Sequence, residues 1–413
     1  MIVGQLGMKH PSLAAMVAAI ETKISRVALH YRFSKAAVAF LLKCLQFVVK
    51  QKIRGRGAID TKLLQPFRRV LLVDSSSWDV NEQLCDALAG SGGSASKANC
   101  KLQTVYDYKC GELEFLDVTA GTVPDNRYTD HLPGLLEKGD LLLFDQGYFK
   151  LLTLIAIIAK DAFFLTRFYI GTHLKDAATQ VPFDLEKRLS GLNANCWQTD
   201  VLMGADKSSQ VPCRLIALRV SEQIANERRR RLKQAAKKKG RTVSNHHLCL
   251  SDWTLLITNV PQHQLPLNTA RALYTVRWQI ELLFKQLKSI LCVHVSHTSN
   301  ENRLLCELYG KLIGAVIIHR IHAAETNMWW NTKRREVSMD KLYKRFQERA
   351  FGLFRLLLSS LSEALAYLCE QIELIIPACL KGRQRSRLTT LETLDPGYPI
   401  PNIVDPAIRN GAA

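Results

Sequence analysis

Two apolar runs, RRVLLVDSSSW from residue 68 and DLLLFDQGYF from residue 140, constrain this chain more than any other feature. Each run is continuous rather than alternating. Each therefore reads as a strand covered on both faces, which a sheet flanked by helices provides. Asp74 and Asp145 stand where these runs end, and an acid gains nothing from packing there. A lone buried carboxylate is expensive, so both want a cation or hydrogen-bond donors. A turn or cap would account for either aspartate taken alone.

The segments around these runs supply an order. CKLQTVYDY and ELEFLDVTAG flank Lys109, Cys110 and Gly111 and predict a hairpin. DNRYTDHLPGLLEKG predicts a short helix, YFKLLTLIAIIAKD a longer one, and AFFLTRFY a strand with Arg167 near its end. Three strands, helix, strand, helix, strand fit a ribonuclease-H-like α/β core, a mixed sheet with helices on its faces. That core occupies 61–170 and 262–325. Residues 171–261 hold further β-like runs, VPCRLIALRV and LCLSDWTLLITNV, and read as a β-rich insertion with a basic loop. From Arg228 to Arg241 that loop carries nine basic residues and no acid. A charge run is usually only a solvated helix or loop; beside β-runs in so basic a chain, contact with a phosphate backbone is the better reading.

Residues 1–60 read as a helical region, with serines set to cap SKAAVAFLLKCLQFVVKQK and the helices before it. Two short helices carrying Ser25, Arg26, His30 and Tyr31 fit either a helix-turn-helix DNA reader or a small bundle packed on the core. Residues 326–380 read as helical and 381–413 as a basic, loosely ordered tail.

Bulk properties narrow the function. A length of 413 residues favours two or three domains, and 47% apolar residues suffice for real cores. The formal charge of +19 favours a polyanionic partner, nucleic acid or an anionic membrane surface. No apolar stretch is long and uncharged enough to span a bilayer, and the opening MIVGQLGMKHPSL has no secretory pattern, so nucleic acid leads. Eleven cysteines without a C-x-x-C pair fit reduced thiols in the cytoplasm. Cys292, His294 and His297 could begin a zinc site, but their alternating spacing and the want of a fourth ligand count against it.

YTVRWQIELLFKQLK, residues 274 to 288, predicts a single helix. At roughly 100° per residue, Tyr274, Arg277, Glu281 and Lys288 share one arc, while Leu273, Val276, Ile280, Leu283, Leu287 and Ile290 form a separate apolar stripe. A solvated Arg-Glu pair is the bland explanation, and it leaves Tyr274 and Lys288 unexplained. Three acids, Asp74, Asp145 and Glu281, could hold two hard divalent ions about 3.5–4 Å apart and so promote phosphodiester displacement.

The spacing Tyr-x2-Arg-x3-Glu-x6-Lys, with VDSSSWD and FDQGYF, resembles the insertion sequence 4 family of bacterial DDE transposases over residues 11 to 375. The resemblance implies Asp74, Asp145 and Glu281 as catalytic metal ligands for Mg²⁺ or Mn²⁺. It implies that Tyr274, Arg277, Lys288 and Arg167 contact DNA, and that Trp253, by composition alone the core tryptophan of a β-hairpin, holds a flipped base. Double-stranded DNA would be the partner, both as terminal inverted repeats and as target, with a homodimer in the DNA complex and a DNA-associated place in the bacterial cytoplasm. The expected function is cut-and-paste DNA transposition. The alternatives are a nuclease of the same fold without strand transfer, and a DNA-binding protein derived from a transposase that has lost catalysis.

Overall fold

The computed structural model of the protein describes residues 12–19, 23–51, 59, 61–206, 209–382 and 388–395. The chain forms two compact units, each gathered from three stretches of sequence. The first comprises 1–60, 71–124 and 278–383, and the second 61–70, 125–277 and 384–413.

In the first unit, α1 (Leu13–Ala19), α2 (Arg26–Tyr31) and α3 (Lys35–Lys50) occupy the expected N-terminal positions. Ser25 and Ser34 cap α2 and α3 by accepting hydrogen bonds from the amides of Ala28 and Ala37. β1 (Val70–Asp79), β2 (Asn99–Asp107) and β3 (Glu112–Ala120) form an antiparallel ribbon, with Asp74 opposite Thr104. The predicted hairpin is β2–β3, and Gly111 sits in its turn at φ 68°, a left-handed backbone natural to glycine. A Cβ there would lie 2.3 Å from Ala323 Cβ, so this turn tolerates no side chain. Ala323 belongs to α11 (Glu301–Lys333), a helix of 33 residues buried on most of its circumference and packed on α3 and β3. Helices α12 (Met339–Ser359) and α13 (Leu361–Cys379) follow as a hairpin.

The second unit opens with α4 (Asp125–Tyr128), β4 (Leu141–Phe144), α5 (Leu151–Ala159) and β5 (Phe163–Arg167). β4 and β5 pair in parallel, with Leu141 opposite Phe163, and every β4 residue is buried. Such burial on both faces is what the continuous apolar run requires. The chain order of three strands, helix, strand, helix, strand is thus present, with an antiparallel ribbon followed by a parallel pair, as in a ribonuclease-H-like layer. The mixed α/β class follows from these pairings.

The insertion adds β6 (Leu174–Asp176), α6 (Leu185–Ser190), β7 (Cys196–Met203), β8 (Val211–Arg219), α7 (Glu222–Lys238), α8 (Asn245–Leu250) and β9 (Trp253–Thr258). Its strands run antiparallel in the order β9-β8-β7-β6, and β9 joins them to β5. One expectation is corrected here. The basic stretch is the helix α7 rather than a loop, because Arg, Lys, Gln and Ala are good helix formers and the first glycine, Gly240, comes after its end. Arg231 and Glu227 pair one turn apart along it.

Asp140 shows what a purely structural acid looks like in this unit. It is fully buried, and its carboxylate is held by Arg68, by two nitrogens of Arg69 and by the amide of Glu137. The expected loose tail is also corrected for residues 388–395. They form α14 (Thr390–Leu394) with a Thr389–Glu392 capping box, and Leu391 and Leu394 are buried. The Leu63 amide donates to the Leu394 carbonyl, and the Lys62 amide to Asp395. The rest of the expected tail lies largely outside the described residues. No described helix is long and apolar enough to cross a membrane.

Candidate active site

The helix expected over 274–288 is two helices. α9 (Ala270–Thr275) ends in a turn at Val276 and Arg277, and α10 (Trp278–Ser289) begins after it. Amides at 276 and 277 reach back three residues, to the carbonyls of Leu273 and Tyr274, so the turn tightens and the helix stops. No glycine or proline marks the break. Tyr274 and Arg277 consequently belong to the second unit, and Glu281 and Lys288 to the first.

In the first unit, Asp74 follows four consecutive buried residues of β1, Val70 to Val73, and is itself half-buried. Its Oδ1 accepts from the Ser75 amide at 2.8 Å. Glu281 lies in the first turn of α10, whose Ile280, Leu283, Phe284 and Leu287 are buried, as the apolar stripe required. Lys288 ends the same helix. Its Nζ donates to the Ser77 carbonyl at 2.9 Å and lies 5.7 Å from the centre of the Trp78 ring. Burial pushes its pKa below the usual lysine value. The bond to Ser77 ties the helix bearing Glu281 to the strand bearing Asp74.

The second unit assembles the other residues. Asp145 is exposed just past β4 and accepts from the Gln146 amide at 2.7 Å. The contrast with Asp140, five residues earlier, separates an acid spent on the fold from one left at the surface. Arg167 ends β5, opposite Leu256 of β9, and is exposed. Tyr274 is half-buried, and burial raises the pKa of its hydroxyl. The positive charges of Arg277 and Arg167 oppose that rise, and the negative charge of Asp145 adds to it. Tyr274, Arg277, Arg167 and Asp145 therefore share one electrostatic neighbourhood.

Trp253 is 4% exposed at the start of β9, with the Arg219 guanidinium 4.5 Å from its ring centre. In this structure it is a core residue of the insertion, with the Arg219 guanidinium over its ring. Sequence reasoning did not single out Arg271, three residues before Tyr274 on α9, whose charge is close enough to Arg228 to push its pKa down after the larger effect of burial. It also missed that Arg228 folds inward from α7 to donate to the Trp253 carbonyl and the Thr254 hydroxyl. Among the described residues, no group of three or more His, Cys, Asp or Glu side chains is gathered as a metal site.

Residues 65–317, more than half the chain, match the family model for the transposase DDE domain. A transposase for insertion sequence element IS231E from Bacillus thuringiensis subsp. finitimus is 25% identical over 93% of this chain and 83% of its own length. The IS231D transposase from the same organism is 29% identical over 82% and 74%. The IS1151 transposase of Clostridium perfringens is 27% identical over 81% and 74%. Among solved structures, a piggyBac transposase synaptic complex with hairpin DNA aligns at a TM-score of 0.47 and 10% identity, covering 93% of this chain and 76% of that one. The matched span takes in both strand acids, the insertion and both helices of the 274–288 segment, and by that match the chain belongs to the transposase DDE domain family.

Proposed function

We propose that the protein is a DNA transposase that recognises the ends of an insertion sequence, cuts a phosphodiester at each end and joins the freed 3′-OH to target DNA. The observation that carries this reading is the family match over 65–317, which contains Asp74, Asp145 and Glu281 together. The closer likeness, to the insertion sequence 4 family with its Tyr-Arg-Glu-Lys signature, belongs to the same proposal and rests on Tyr274, Arg277, Glu281 and Lys288.

Enzymes of the DDE class use divalent metal ions. The three carboxylates offer only oxygen donors, which suit a hard ion such as Mg²⁺ or Mn²⁺, and Asp145 is exposed with a single backbone amide on its carboxylate. Asp74, Asp145 and Glu281 would hold the ions. Bound there, they would supply Lewis-acid stabilisation of the phosphoryl group and an activated oxygen nucleophile near neutral pH.

The remaining roles fall to side chains that meet DNA. Arg167, Arg277 and Tyr274 would bind phosphates near the scissile bond, and Lys288 would add its charge from the Asp74 side. In the cut, a water oxygen bonds to phosphorus as the bond to the 3′ oxygen breaks, which leaves a 3′-OH. In joining, that hydroxyl bonds to a target phosphorus and displaces a target 3′ oxygen. Double-stranded DNA, as terminal inverted repeats and as target, is the proposed partner. Because two ends must be handled together, two copies of the chain would act in the DNA complex.

The test uses the purified chain, supercoiled DNA bearing the element ends, and Mg²⁺ or Mn²⁺. Nicking at the ends followed by integrated products supports the reading. Asp74→Ala, Asp145→Ala and Glu281→Ala should each lower cleavage on the order of 100-fold or more while end binding persists. Near-normal cleavage by Glu281→Ala removes that residue from the site. Nicking without any joined product would leave a nuclease.

A further inference from the structure

α7 turns two of its arginines inward, and they meet different fates. Arg229 pairs with the carboxylate of Asp252. Arg228, also half-buried, spends its hydrogen bonds on two neutral oxygens, donating to the Trp253 carbonyl at 3.0 Å and the Thr254 hydroxyl at 3.1 Å. Thr254 lies two residues from Leu256, and Leu256 is the β-partner of Arg167. Alternation along a strand puts Thr254 and Leu256 on one face, so Arg228 and Arg167 share that side of the sheet. The charges of Arg167 and Arg271 are close enough to Arg228 to push its pKa down, after the larger effect of burial. Among the described residues, Arg167 and Arg228 make no ion pair with a carboxylate. Like charges held together, one of them half-buried, are costly unless an anion joins them.

We infer that Arg167 and Arg228 form a receptor for one phosphodiester group of the DNA backbone, with Arg228 as its fixed floor. The inference rests on the DNA-transposase reading for its ligand and adds a site to it. A guanidinium held by the Trp253 carbonyl and the Thr254 hydroxyl of β9 is pre-oriented, so it gives up little side-chain freedom when phosphate arrives. The geometry also joins this receptor to Trp253, because one Arg228 nitrogen is bonded to that residue's carbonyl.

The experiment measures binding of the full chain to a labelled duplex carrying an element end, by fluorescence anisotropy across a salt series. Arg228→Gln should weaken binding about tenfold or more and reduce the slope of log affinity against log salt by about one. Arg231→Gln, which removes an outward charge paired with Glu227, should do less. Arg228→Lys should restore the slope, which a purely structural role for the side chain would not produce. A set of duplexes, each with one phosphate replaced by neutral methylphosphonate, should include one that weakens the unmodified protein and leaves Arg228→Gln unaffected. An unchanged slope in Arg228→Gln, or the lack of any such phosphate, overturns the receptor. The two readings fail separately. Phosphate-dependent binding without cleavage would keep the receptor and sink the transposase, whereas cleavage with an unchanged Arg228→Gln slope would do the reverse.

Discussion

His319 illustrates how a single side chain can set the protein's response to acid. It is buried in α11, with its ring edge-on to Tyr106 and Tyr343 at 6.0 and 5.9 Å, and neither ring nitrogen finds a hydrogen-bond partner among the described residues. Burial, with some help from His322, lowers its pKa from 6.5 to about 3. The unfolded chain therefore binds a proton here that the folded chain refuses. Stability should fall as pH drops from 6.5 towards 3, and His319→Leu should flatten that part of a melting-temperature profile. A profile that kept its slope in the variant would place the acid sensitivity elsewhere. Trp253 tests the other side of the residue scale. As a core residue, its change to Ala should cost about 3–5 kcal/mol in a denaturant titration. The two acids stand out in the sequence because each closes a continuous apolar run, although the structure carries β1 on past Asp74 to Asp79, so that only Asp145 lies beyond its strand. Arg228 does not stand out, since a run of identical charges does not say which member turns inward.

At the scale of elements, patterning identified the buried strands, the β2–β3 hairpin and the capped N-terminal helices because each rests on local chemistry. The break between α9 and α10 escaped it. A period of 3.6 runs unbroken through Val276 and Arg277, and two shortened backbone bonds, invisible in side-chain pattern, end the helix there. The basic helix α7 was misplaced as a loop for the opposite reason, since charge was weighed above helix propensity. The terminal helix α14 gives a prediction at this scale. Leu394 is fully buried, so Leu394→Ala should cost about 2–5 kcal/mol, and removal of 388–413 should lower the melting temperature at least as far. A truncated chain with unchanged melting would show that this helix contributes nothing to the second unit.

For the whole molecule, the formal charge of +19 sets the expected behaviour with DNA. Non-specific binding should weaken steeply with salt, and excess chelator should stop cleavage while leaving that binding in place. Cleavage that survives exhaustive chelation would remove the metal from the proposal. Charge and motif told this much from sequence, whereas the division into two units did not show, because it depends on contacts between distant stretches. That division bears on how the protein is made. Each unit draws on three separated stretches, and the last described piece of the second unit, α14, bonds to Lys62 and Leu63 near its start. During translation, the partners of Lys62 and Leu63 leave the ribosome more than three hundred residues after them. The second unit can close only when synthesis has passed residue 395, so a prematurely ended polypeptide should emerge incompletely folded and exposed to proteolysis, which pulse-chase with protease would register as a stretch of sensitivity lasting until that point.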